Sequence, residues 1–447
     1  MTFDPNYYDF HRRFWRLAVV NVLSNLMVPL AGLVDVAFLG HLAEIRHLAG
    51  VALATVLFNY IYWTFGFLRM GTTGITAQAV GRGEPEVVLL TALRNGLLAL
   101  GLGLSILLLQ QPLRELGFAL LSAAPEVKAA GRAYYDALIG GAPATLINFV
   151  LIGWFLGREQ SGKVLLLSAV GNGANVGLDY LLVVRWGWAS AGAGWATAAS
   201  QYLMLLLGVI LVGREVRWAQ VRAVVPQIGD PVALKAAFTL NSDILVRTLA
   251  LVSTFALFTN LSSSLGTIVL ATNTLLLQVV TLAAYFIDGL AFATESLAGI
   301  LRGQGSSRQL ADLVWLAGGV SLSLGLGFGL VFILLPRPLF GLLTNHAALL
   351  ERVPDYVLWL LPILGFGSLA YMLDGYFLGL TEGRILRQAT IVAALVGFGP
   401  AAFLAWQLHN GQMLWLAMTL FMAARAITLG LQVPRSLNEN EYAKYTK

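Results

Sequence analysis

Twelve apolar runs, each long enough to cross a bilayer, constrain this chain more than any other feature. A spanning helix needs roughly 20 mostly apolar residues. Such runs lie near residues 15–40, 48–74, 87–110, 133–156, 163–184 and 190–213, and again near 236–259, 266–300, 311–335, 356–380, 387–408 and 412–433. Of the 447 residues 58% are hydrophobic and only 11% are charged, against about 25% charged in soluble domains. A soluble chain of this length has nowhere to hide so much apolar surface, whereas lipid accepts it. The expected fold class is therefore an all-α polytopic membrane protein with twelve transmembrane helices. The second and eighth runs are long and contain Gly and polar residues, which predicts tilting or bending. The first follows the basic residues of MTFDPNYYDFHRRFWRL with no small-residue cleavage site, so it reads as a span and not as a removable leader.

Charge sets the orientation. On the alternate segments that include the N-terminus, Lys and Arg number eighteen, Lys444 and Lys447 among them; the other set holds seven. Such a bias places the richer set, and both termini, in the cytoplasm, as for a multi-pass protein of the inner (plasma) membrane. The net charge of +5 resides in these short loops and does not point to nucleic acid. There is no cysteine, so disulfides and thiolate chemistry are excluded. The five His stand near span ends or in loops and form no HExxH, and there is no phosphate-binding loop. The chain reads as a non-enzyme, moved by an ion gradient or passive, with no cofactor beyond a coupling ion; it is expected to be a monomer.

The halves resemble each other. Gly153-Trp154-Phe155-Leu156-Gly157 recurs as Gly375-Tyr376-Phe377-Leu378-Gly379, at an offset of 222. Ala52-Leu53-Ala54-Thr55 resembles Val269-Leu270-Ala271-Thr272 at 217, an offset that also pairs Gln78 with Glu295. At 219, Asp35 is matched with Thr254. The polar stretch 214–235 falls between the copies. The expected organisation is an N-terminal six-helix bundle over 1–213, a cytoplasmic linker over 214–235, a C-terminal six-helix bundle over 236–433 and a cytoplasmic tail over 434–447. Parallel repeats of this kind place a substrate path between them, which predicts an outward-facing cavity lined by both.

An ionisable side chain inside a span costs about 2.5–3.5 kcal/mol on insertion scales, so each needs a reason. Asp35 follows Pro29 by six residues, and a helix-interior Pro permits a bend there. In the fifth span, Asn172, Asn175 and Asp179 are spaced to share one helix face, with Gly171, Gly173 and Gly177 expected to admit a neighbouring helix. A carboxylate with an amide one turn away can ligate a hard cation or hold a proton. Asp243 and Arg247 stand four apart and are expected to pair within their helix. Arg69, Asp243, Arg247, Glu295 and Asp374, at inner depths, are candidates for a cytoplasmic gate network. Asp136 and Arg425 lie near helix ends and are expected to snorkel.

On PLAGLVDVAFLGHL with the following HLAGVALAT, on GNGANVGLDYLLV and on LDGYFLGLTEGR, the chain resembles the multidrug and toxic compound extrusion (MATE) transporters, and within them the DinF-type branch. The resemblance covers nearly the whole chain. It implies two pseudo-symmetric six-helix bundles around a central V-shaped cavity. It also implies export of small cationic or amphipathic compounds in exchange for H⁺ or Na⁺. It carries an ion or proton site onto Asp35, Asn175, Asp179 and Thr197; Asn172, on the same face as Asn175 by spacing, is a candidate second-line polar group. The acid expected in the seventh span of NorM-type members is not evident; Arg247 is the prominent charge there. The alternative of a lipid or lipid-linked precursor flippase calls for a cationic cavity, which acids at Asp35 and Asp179 disfavour. An intramembrane enzyme calls for a nucleophile–base or metal constellation that the sequence does not display.

Overall fold

Helices begin within a residue of each apolar run or shortly before it and in most cases continue past its end, because interfacial polar residues prolong a helix without needing to be buried. The structure, a computed structural model, describes residues 5–344 and 346–438. The tail expected over 434–447 is described only as far as Asn438, and Lys444 and Lys447 lie outside the described residues. Among the described residues, twelve helices are long and apolar enough to span a membrane. They are α1 (Asp9–Gly40), α2 (Ile45–Arg82), α3 (Pro85–Leu108), α4 (Pro125–Gly157), α5 (Ser161–Arg185) and α6 (Ala189–Glu215), then α7 (Pro231–Ser264), α8 (Thr267–Gln304), α9 (Ser307–Leu334), α10 (Ala347–Gly379), α11 (Gly383–Leu408) and α12 (Gly411–Asn438). No strand occurs among the described residues. Of the two long helices, α2 is interrupted at Phe65–Gly66 whereas α8 runs unbroken for 38 residues.

The chain sorts into two compact units. One comprises residues 23–237; the other comprises 238 onward together with the residues up to Val22, so α1 contributes to both. Between Glu215 and Pro231 lies a short linker helix, Trp218–Val224.

The internal repeat has a single register. Ile45 and Thr267, Pro125 and Ala347, Ala189 and Gly411 each begin a span, and each pair stands 222 residues apart. Gly83 and Gly305, both left-handed (φ 73° and 69°), end α2 and α8 at the same offset. Glycine is needed at these caps because other residues pay for positive φ with Cβ crowding. Packing repeats too. A Cβ on Gly153 would lie 2.4 Å from the Arg69 carbonyl oxygen, and one on Gly375 would lie 2.5 Å from that of Ala291. One turn on, Gly157 and Gly379 meet the carbonyls of Thr73 and Glu295. In each unit a small-xxx-small face thus brings two backbones together. This corrects the offsets of 217 and 219: Glu295 corresponds to Thr73 and not Gln78, and Asp35 corresponds to Leu257 and not Thr254.

Each unit closes around buried aromatics whose polar ends are satisfied. Trp154 of α4 donates from Nε1 to the Val88 carbonyl of α3 at 2.9 Å. In the other unit, Trp415 of α12 donates to Asn273 of α8 at 2.8 Å, and Asn273 donates on to Ser262 of α7 at 2.9 Å. Unpaired polar groups at this depth would cost more than the same groups in water.

Candidate functional site

Up-and-down topology brings the end of α1, the end of α5 and the starts of α2, α4 and α6 to the same end of their unit, away from the N-terminus. Five polar side chains converge there. Asp179 is almost fully buried (1% exposed), Asn175 is buried and Asp35 is half-buried. Asn175 donates from Nδ2 to Asp179 Oδ2 at 3.0 Å and to Thr197 Oγ1 at 3.3 Å. Thr197 spends its own proton on the Ala193 carbonyl at 3.0 Å, which leaves its lone pairs to the cluster. The carboxyl groups of Asp35 and Asp179 stand close enough to act on each other electrostatically. A carboxylate has acceptors only, so two ionised acids this near repel until a proton or a cation joins them. The Oδ1 atoms of both acids are buried without a hydrogen-bond partner. The site therefore has oxygen lone pairs to offer and no basic side chain to fill them. Among the described residues no three His, Asp or Glu converge as for a metal cluster.

Tyr134 of α4 completes the arrangement, and sequence reading missed it. Its hydroxyl lies near Thr55 and Thr197 and in the neighbourhood of Asp35 and Asp179. Its ring packs edge-on against Phe58, 6.2 Å between centroids. In sequence it is one aromatic among many at a span end, with only its spacing to Tyr356 at the repeat offset to mark it.

Other expected members fall elsewhere. Pro29 lies inside α1, which continues through it to Gly40. Asn172 donates to the Ser168 carbonyl of its own helix at 2.8 Å. Of the three glycines only Gly171 faces a neighbour, Met204 of α6; Gly173 and Gly177 face open space. Beyond Asp179 the helix widens to π-type turns over Tyr180–Arg185, and α11 does the same over Ala393–Phe398. Single π segments often mark functional places in helices.

The inner-depth charges group differently from expectation. Asp243 accepts from Arg387 of α11 at 2.6 Å, and Arg247 reaches Asp374 of α10. Both therefore reach across helices, where a bond within α7 was expected. Arg425 of α12, expected to snorkel, is fully buried and binds the same Asp374 oxygen. Its guanidinium lies 5.3 Å from the Tyr371 ring. Burial is possible here because the carboxylate partner compensates the lost hydration. Glu295 is fully buried in the same unit, whereas Arg69 belongs to the other unit. Asp136 lies at the surface, bonded by Arg114 at 2.7 Å.

The chain is similar to known proteins over most of its length. The MatE family pattern matches twice, at residues 21–181 and 244–403. The DNA damage-inducible protein F of Escherichia coli is 34% identical over 420 residues, covering 94% of this chain and 91% of that protein. A probable multidrug resistance protein NorM from Rhizobium meliloti is 28% identical, covering 90% and 88%. Among solved structures, an outward-facing multidrug resistance MATE transporter of the MOP superfamily superposes with a TM-score of 0.87 at 20% identity, covering 96% of both chains. A MOP superfamily transporter from Pyrococcus furiosus does so with 0.87 at 19%, again over 96% of each. At these identities the structural likeness bears on the fold.

Proposed function

We propose that this chain, which belongs to the MatE family, is a secondary active antiporter that exports small cationic or amphipathic compounds in exchange for H⁺ or Na⁺. The observation that carries the reading is the cluster of Asp35, Asn175, Asp179 and Thr197 in one unit, with two neighbouring acids, an amide and a hydroxyl and no basic side chain among them. In its empty, ionised form the pair is anionic and suits a cation. Taking up a proton, or Na⁺ held by the four oxygen-bearing side chains, removes the repulsion between the acids. The charge that attracts a cationic substrate then disappears. Ion and substrate exclude one another, and antiport needs no more than that.

The gate side of the cycle uses the same parts. Neutralising the acids lets the segment of α1 beyond Pro29 move toward α5 and α6, closing the space around Asp35 and discharging the substrate outward. Loss of the ion to the cytoplasm restores the charge. Tyr134 lies beside the hydroxyl side of the cluster, next to Thr197. The protein works as a multi-pass monomer in the plasma membrane with both termini in the cytoplasm.

The test is transport in proteoliposomes with a pH gradient and a Na⁺ gradient imposed separately. Uptake of a cationic dye driven by one of them, and lost in Asp35→Asn, is the expected result. Dye movement that ignores both gradients, or that persists in Asp35→Asn, overturns the reading.

A further inference from the structure

The cytoplasmic end of the 23–237 unit carries two kinds of cation. One kind is neutralised on the spot: Arg82 pairs with Glu84 at 2.8 Å, and Arg158 and Lys163 both hold Glu215, the former at 2.7 Å. The other kind is not. Arg214, Arg217 and Arg222 are exposed, and none has an acidic partner among the described residues. They bracket Trp218, whose side chain is 73% exposed.

The segment that carries them is held in place. Val224 is buried against Leu89 and Leu90 near the start of α3, with Val221 and Ile228 packed beside it. Arg94 of α3 donates from Nε to the Ile228 carbonyl at 3.1 Å and also bonds the Gln227 carbonyl. These contacts keep the linker at the level where the spans end. With Val221 and Val224 turned inward, Trp218 and Arg222, one turn apart, share an exposed face beside that buried one.

We propose that residues 214–222 form a binding surface for the phosphodiester headgroups of anionic phospholipids in the cytoplasmic leaflet. Indole rings settle at the boundary between hydrocarbon and headgroup, and basic residues beside a span end attract anionic lipid. A solvated charge run would not need the exposed Trp or the two-point attachment to α3. The surface rests on the cytoplasmic placement of the linker and on no feature of the coupling cluster.

The experiment uses the full chain in nanodiscs and in detergent. Retained phosphatidylglycerol and phosphatidylcholine are counted by native mass spectrometry, and vesicle affinity is followed with salt. The expected result is preferential retention of phosphatidylglycerol, with affinity lowered at least about tenfold in the Arg214→Gln, Arg217→Gln, Arg222→Gln triple variant. Arg82→Gln, which removes a paired cation from the same end, is expected to change little. Inorganic phosphate at the same charge concentration is expected not to compete, because it lacks the interface that Trp218 needs. Unchanged phosphatidylglycerol affinity in the triple variant, an equal loss in Arg82→Gln, or full competition by inorganic phosphate overturns the proposal. Dye transport by the triple variant, measured in parallel, separates loss of the lipid surface from loss of the antiport reaction.

Discussion

The two halves of this protein share a backbone plan and differ in where they keep their charges. At the offset of 222, Thr197 is matched by Thr419 and Tyr134 by Tyr356, but Asp35 is matched by Leu257 and Asp179 by Ala401. The hydroxyls are common property; the acids belong to one half. Conversely, Asp374, Arg247 and Arg425 face Ile152, Asn25 and Leu203 in the register of the first half. Each half has thus acquired a polar centre that the other lacks. The centres also differ in kind. Asp374 is held by two guanidiniums supplied by its own unit, so its charge is cancelled internally. Asp35 and Asp179 have an amide beside them, Asn175 on Asp179, and no arginine. A carboxylate already satisfied by arginine has little to gain from an external cation, whereas two neighbouring acids with no cation have much to gain. The lesson is that duplication conserves packing, while the polar side chains laid on it differ between the halves.

The largest effect that can break this contrast is at the acids. Asp35→Asn is expected to reduce coupled export to background while leaving expression and melting temperature near those of the parent, and Asp179→Asn to do nearly the same. Leu257→Asn, at the matched place in the second half, is expected to leave coupling intact. Drug resistance at full level in cells carrying Asp35→Asn, at equal expression, would dissolve the distinction between the halves.

Next in size is Arg425→Leu. Removing one partner from a buried ion pair costs about 3–5 kcal/mol, and here Arg247 remains to soften the loss. A marked drop in thermal stability in detergent is expected, partly recovered when Asp374→Asn is added. If Arg425→Leu melts like the parent but loses transport, the second centre is a working site and not an internally cancelled one.

Gly153→Val and Gly375→Val test the shared plan. Either side chain would drive into a carbonyl oxygen of the neighbouring helix, and overpacking of this sort costs about 1–3 kcal/mol. Both should destabilise, measured by the same melting assay. A loss confined to one of them would show that the repeat in sequence is not a repeat in packing.

The smallest expected effect is at Tyr134→Phe, which removes a hydroxyl but leaves the ring on Phe58. A loss of one hydrogen bond, about 1 kcal/mol, should slow transport several-fold and move its pH profile, whereas Tyr356→Phe should leave the profile unmoved. An unmoved profile in Tyr134→Phe would reduce that residue to packing.

What the sequence by itself determined was the number of spans and the family. It also marked four members of the acid–amide–hydroxyl cluster, Thr197 among them only through the family resemblance. Span length and apolar content are local quantities that the bilayer reads directly, and an acid in an apolar run is conspicuous because its cost is high. Only the tertiary structure decided the register of the repeat, because near-matches at 217 and 219 look as good as those at 222 until glycines are seen against carbonyls. It alone brought Tyr134 to Asp179, and it alone buried Arg425 on Asp374. Which charges meet depends on rotations of helices about their axes and on partners more than a hundred residues apart, such as Arg247 and Asp374. A side chain near a helix end can snorkel to water or turn inward to an ion partner with the same neighbours in sequence, and the choice is made by the helix packed beside it.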